Sequence, residues 1–232
     1  LKDKLLGLQN ISDKPNIHSE YHEQKQKILK CIDGVNSGKC KISDFIKTYT
    51  MDITTINIIK ECNNYINNSL PIELHIDYGN NSKPRNNQSL GNQIPKKFKE
   101  SKIMDHYIKF LKNPGFGYPD EKVKIKDLNY DFLWEWKSMN NSEGNGARIV
   151  ISKFPNSRIK KSFINNKEYY HLWACIKYVK EDKNDIKKTK ITIDKLEIYY
   201  IKPTAILNTK FELNTNTKQI QENIKNGHIE KL

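Results

Sequence analysis

The chain has 232 residues, of which 40 are Lys or Arg and 27 are Asp or Glu, for a formal net charge of +13. That length supports one sizeable domain or two small ones, and the charge points to a polyanionic partner, of which nucleic acid is the commonest soluble kind. No run of about 18 apolar residues occurs, which excludes a helix spanning a membrane, and no signal-peptide pattern opens the chain.

Two features temper the charge. Only Arg85, Arg148 and Arg158 are arginines, and Lys, Asn and Ile dominate the rest. Such usage accompanies AT-rich genomes and enriches Lys without selection for binding. The cysteines Cys31, Cys40, Cys62 and Cys175 are scattered, with no C-x-x-C pair. They read as reduced thiols of a cytoplasmic protein rather than a disulfide framework or zinc site.

In chain order, residues 1–20 are polar and weakly patterned. Helical apolar spacing appears over residues 20–32, 42–49 and 54–66. Three helices so spaced resemble a helix-turn-helix, but no Gly marks the turn and the third helix has no Arg, so a plain helical subdomain is favoured. Residues 73–78 alternate as a short strand, and 79–93 form a polar, Asn-rich loop carrying Arg85. Residues 95–113 read as a helix stopped by Pro114, Gly115 and Gly117.

Residues 118–139, YPDEKVKIKDLNYDFLWEWKSM, then read as a hairpin with its turn near Asp127-Leu128-Asn129. On the second strand Asp131, Leu133, Glu135 and Lys137 share one face, and Phe132, Trp134 and Trp136 the other. A turn near residue 128 sets Asp120 opposite about Trp136, beside both Glu135 and Lys137. Asp131 is the rival carboxylate, but four residues along one strand is ~13 Å from Glu135, too far to share a metal unless the strand bends. Asp120 is preferred, with Asp131 as the fallback. A Gly/Asn/Ser loop follows at 140–146, a short strand at 147–151, a buried strand at 169–179 and an alternating strand at 190–200. The tail after residue 208 is polar, with helix expected near its end.

Pro119-Asp120, a hairpin, then Glu135-Trp136-Lys137 resembles the motif of the PD-(D/E)xK nuclease superfamily, which includes most type II restriction endonucleases. The resemblance covers residues from about 95 to 180 as helix, hairpin and further strand. It implies that Asp120 and Glu135 bind Mg²⁺, with the backbone carbonyl of Trp136 as a further ligand, since hard oxygen ligands suit that ion. It also implies that the metal polarises the phosphate and activates a water. Lys137 would orient that water or stabilise the charge that builds on the phosphate. Glu100 is the natural candidate for an additional acid from the preceding helix.

Arg148, Arg158 and Arg85 are the candidate DNA contacts, since Arg is the commonest bidentate partner of guanine; Asn140, Asn141, Asn145 and Asn156 lie nearby. His18 and His22 share a helical spacing without a third ligand, and no P-loop or G-x-S-x-G is present. The expectation is an α/β (α+β) fold, with a mixed central β-sheet flanked by helices as in restriction endonucleases. A helical N-terminal region would occupy residues 1–90 and a catalytic core residues 91–232. The expected activity is Mg²⁺-dependent, site-specific cleavage of double-stranded DNA by a homodimer with no membrane association. A non-catalytic DNA-binding protein and a repair or junction-resolving nuclease are the alternatives.

Overall fold

The structure is a computed structural model that describes residues 50–77, 86–111, 119–141, 170–181, 188–205 and 217–232. Helix α1 (Ile53–Asn68) starts where Asp52 accepts hydrogen bonds from Thr55 N (2.9 Å) and Thr55 Oγ1 (2.7 Å), an N-cap that satisfies a donor the helix cannot. Ile56, Ile59, Cys62 and Ile66 are buried along one face, the spacing that marks an amphipathic helix. The expected helices at residues 20–32 and 42–49 lie outside the described residues.

A seven-stranded mixed sheet forms the centre of the α+β fold. Its strands are β1 (Ile72–Asp77), β2 (Ile108–Leu111), β3 (Glu121–Ile125), β4 (Asp131–Asn140), β5 (Tyr170–Lys180), β6 (Lys188–Ile201) and β7 (Ile229–Lys231). The order is β1-β6-β5-β4-β3-β2, with β7 also on β6. Only β4 and β5 pair in parallel; the other pairs are antiparallel. The expected strand at 147–151 falls between them and outside the described residues. The expected division after residue 90 runs through helix α2 (Asn86–Glu100), and β1 lies in the same sheet as the later strands.

Each sheet face buries its own apolar cluster. One contains α1 and α2 residues (Ile59, Ile94, Phe98) against Phe132, Trp134, Trp136 and Tyr200. The other sets Trp173, Cys175, Tyr199 and Ile201 against Ile220 of helix α3 (Thr217–Lys225). Strand β6 serves the first cluster with residues of both parities, because Lys177 pairs with Lys195 but Tyr178 pairs with Ile193. The bulge at Asp194 turns Ile191 and Ile193 to the same face as Leu196 and Ile198. Asn67 pins it: its side chain donates to Leu196 O (2.9 Å) and accepts from Leu196 N (3.0 Å).

Sequence reading placed α2 over residues 95–113, and the structure corrects this. The helix begins at Asn86 and carries Pro95 inside it. It ends before Lys102, whose φ of 61° is left-handed, and the expected continuation becomes β2 instead. Pro95 has no N–H to offer the carbonyl four residues back, that of Gly91. Ser138 on β4 donates to Gly91 O at 3.2 Å, so a hydroxyl from the sheet supplies what the proline withholds. Removing a partner from a buried acceptor costs ~1–3 kcal/mol. Ser138→Ala is therefore expected to lower the thermal midpoint, and to lower it less when Pro95→Ala restores the helical N–H. A double-mutant cycle by thermal denaturation checks this, with equal Ser138→Ala effects in both backgrounds counting against the pairing.

Candidate active site

The β3–β4 hairpin turns at Asp127, which adopts a φ of 66°, a left-handed conformation that Asp tolerates better than most residues. Its pairing sets Glu121 against Trp134 and Lys124 against Asp131. Stepping back one residue brings Asp120 opposite Glu135, one residue short of the Trp136 expected from a turn centred at 128. Directly opposed residues share a face. Pro119 is buried just before this point, and its ring restricts the backbone there.

Asp120 and Glu135 brace each other through the backbone. Asp120 N donates to Glu135 Oε2 at 3.3 Å, and Trp136 N donates to Asp120 Oδ2 at 2.8 Å. Lys137, two residues along the same face, donates from Nζ to Glu135 Oε1 at 2.5 Å. The side chains of both Glu135 and Lys137 are only 14% exposed. Burial pushes the Glu135 carboxyl above its ordinary value; Lys137 opposes that shift and the negative charge of Asp120 adds to it. A cation bound by both carboxylates would remove that repulsion, and their oxygens are the hard donors a magnesium ion takes. Among the described residues no group of three or more His, Cys, Asp or Glu side chains is arranged to hold a metal. A bound ion would therefore draw on two carboxylates, a backbone carbonyl and water.

The opposite face carries the support. Trp136 stacks on Phe110 at 6.0 Å with a 27° interplanar angle, and meets Trp134 edge-on at 5.2 Å. Its Nε1 donates to Glu121 Oε2 at 3.1 Å, and Glu121 also pairs with Lys99 of α2. The aromatic trio thus locks the strand that presents Glu135 and Lys137.

Other candidates are placed elsewhere. Asp131 faces Lys124 across the hairpin at 4.0 Å. Glu100 is exposed on α2, paired with Lys97 at 2.8 Å, and α2 packs against the other sheet face. Asn140 is buried, and Asn141 donates to Asp194 at 3.3 Å. Arg85, Arg148, Arg158, Asn145, Asn156, His18 and His22 lie outside the described residues.

A second charged group, which sequence reading did not single out, shares the face of Glu135 and Lys137. Glu197 on β6 is 3% exposed; it accepts from Tyr199 OH (2.8 Å) and pairs with Lys177 (2.9 Å), Lys195 (3.7 Å) and Lys231. The alternation of residues 195–199 does assign Glu197 the face opposite Leu196 and Ile198. Its partners come from three strands, which no local pattern joins. Burial would raise the Glu197 carboxyl, but the hydrogen bonds from Lys231, Lys177 and Tyr199 outweigh it and hold it at about 2.

No family model matches the chain, and no curated protein shows significant sequence similarity to it.

Two outcomes follow from these charges. Replacing a buried ion pair by neutral groups of similar volume is often neutral or stabilising by ~1–4 kcal/mol. The double variant Glu135→Gln/Lys137→Met is accordingly expected to melt at or above the wild-type midpoint at pH 7, as scanning calorimetry would show; a marked fall would mean that the pair serves the fold. Glu197 acts in the opposite sense. Its folded value of about 2 lies below the ordinary 4.5, so its contribution is present above 4.5 and lost as pH falls toward 2. Glu197→Gln should flatten the dependence of the thermal midpoint on pH across that window, and an unchanged profile would contradict the assignment.

Proposed function

We propose that this protein is a Mg²⁺-dependent endonuclease that hydrolyses phosphodiester bonds of double-stranded DNA at a specific sequence, a type II restriction enzyme working as a cytoplasmic homodimer. The observation that carries the reading is that Asp120 N and Lys137 Nζ both donate to the Glu135 carboxylate at the end of the hairpin. Asp120 and Glu135 on one face, with an aromatic face behind them, supports the resemblance to the PD-(D/E)xK superfamily. The order of α2, the hairpin and β5 agrees with it as well.

In this reading Asp120 and Glu135 hold the ion together with the Trp136 carbonyl. When bound, Mg²⁺ lowers the pKa of an attacking water and polarises the phosphate. Lys137 brings positive charge to where negative charge develops on the phosphate. Asp120 keeps the strand end fixed by accepting the Trp136 N–H. The net charge of +13 favours the duplex. Arg85, Arg148 and Arg158 are the proposed base or phosphate contacts. Two-fold symmetry would present one such site to each strand of a palindrome.

Incubation of the purified chain with supercoiled plasmid tests the reading. Cutting into fragments with uniform end sequences is expected with Mg²⁺ and not with EDTA. Glu135→Ala and Lys137→Ala should each slow cleavage by ~10²–10³-fold or more while DNA binding in EDTA persists. Binding without cutting across metals and sequences would leave a DNA-binding protein without catalysis. Ends set by DNA structure rather than sequence would indicate a repair or junction-resolving enzyme, and a double variant that still cuts would remove the site.

A further inference from the structure

The two charged groups of the site face are linked by strand register. Lys137 pairs laterally with Cys175, and Cys175 with Glu197. One row along, Glu135, Trp173, Tyr199 and Lys231 lie side by side; one row the other way, Met139, Lys177 and Lys195 do. Two strand spacings separate Lys137 from Glu197, ~10 Å across the sheet. The fields of Lys137, Lys177, Lys231 and Glu197 all act on the buried Cys175 thiol between them.

One lysine and the Tyr199 hydroxyl would satisfy Glu197. Three ammonium groups converge on it instead, and among the described residues each makes its ion pair with Glu197 alone. Among the described residues that leaves three positive charges to one carboxylate, with mutual repulsion between the lysines. The lysines are not buried with their acid: Lys177, Lys231 and Lys195 are 25%, 44% and 53% exposed. A buried carboxylate thus gathers three cations, each at least partly exposed, into one group.

We propose that Lys177, Lys195 and Lys231, gathered on Glu197, form a second anion site that grips a backbone phosphate of the bound nucleic acid away from the bond being cut. Glu197 lies ~10 Å from Lys137 across the same sheet face. A nucleic acid passing over the exposed lysine ends, above the buried Trp173 and Cys175, would meet both sites. The contact is to phosphate, so it sets register and affinity rather than sequence. The proposal rests on the reading of this face as the nucleic-acid surface, and its test is independent of cleavage.

The test is fluorescence anisotropy of a labelled duplex with the full chain in EDTA, over a range of salt. Lys195→Ala/Lys231→Ala leaves Lys177 to balance Glu197. It is expected to weaken binding about tenfold near 0.1 M salt, and to reduce the slope of log K against log salt by ~1–2. Random and cut-site duplexes should lose equally, and Lys195→Arg/Lys231→Arg should restore binding. Should the double variant melt early, Lys195→Gln alone decides, since Lys195 is the most exposed and sits 3.7 Å from Glu197. About threefold weaker binding is then expected, with a slope smaller by ~1. Unchanged affinity and slope, or equal losses in the Ala and Arg variants, overturn the site. Cleavage by the wild type with lysine variants that bind normally would sink the phosphate grip and leave the nuclease standing. Lysine-dependent binding with no cleavage in any metal would do the reverse.

Discussion

The register of β4 between its two neighbours is the constraint on which the rest depends. On one side Glu121 pairs with Trp134; on the other Lys137 pairs with Cys175. Because strand side chains alternate, a slip of one residue would exchange Glu135 and Lys137 with Trp134 and Trp136. It would bury two charges in the aromatic cluster and expose two tryptophans. Trp134 is fully buried and Trp136 nearly so, and at about 25 cal/mol per Å² of apolar surface such side chains outweigh any gain a slipped pairing offers. The aromatic face therefore does more than fill a core: it fixes where the carboxylates point.

Local bonds reinforce that register where the ladder ends. Beyond Glu121 there is no strand residue to receive the Trp136 N–H, and the Asp120 carboxylate takes it. A side-chain carboxylate thus completes the backbone pairing. On the far side of the strand Ser138 closes the gap that Pro95 opens in α2. The two bonds, at Trp136 and Ser138, flank Lys137, so the segment that carries the charged pair is held at two points by side chains as well as by the sheet.

The strands most clearly visible in the sequence are those whose face is decided by one cluster. The alternation at 130–138 and at 190–200, and the apolar run at 169–179, locate β4, β6 and β5 to within two or three residues. The helix at 54–66 shows its periodicity for the same reason, since Ile56, Ile59, Cys62 and Ile66 face a single core. Helix α2 is visible only from Pro95 to Glu100: Pro95 reads as a helix start, whereas in the fold the helix runs through it and the Ser138 hydroxyl meets the Gly91 carbonyl. Residues 103–111 keep helical spacing yet fold as a turn and the short β2, since Lys102 leaves the helical conformation before them. The hairpin was readable, but its register was not. A left-handed Asp127 shifts the pairing by one residue, and nothing in the letters distinguishes that turn from a neighbouring one. The Glu197 group is the extreme case, assembled from β5, β6 and β7.

The two faces divide the energetics. Phe132, Trp134, Trp136, Leu172 and Tyr200 on one side give the sheet its apolar burial, backed by α1 and α2. The other face spends part of its area on charge: Glu135 with Lys137, and Glu197 with three lysines. These groups do not contribute to stability in the same way. Glu197 has enough donors to stay ionised despite its burial, so it acts as a structural anchor for its lysines. Glu135 is pushed the other way by burial and by Asp120, with one lysine in compensation. Glu135 is buried beside a second carboxylate, that of Asp120, and carboxyls shifted in this way cluster at functional sites.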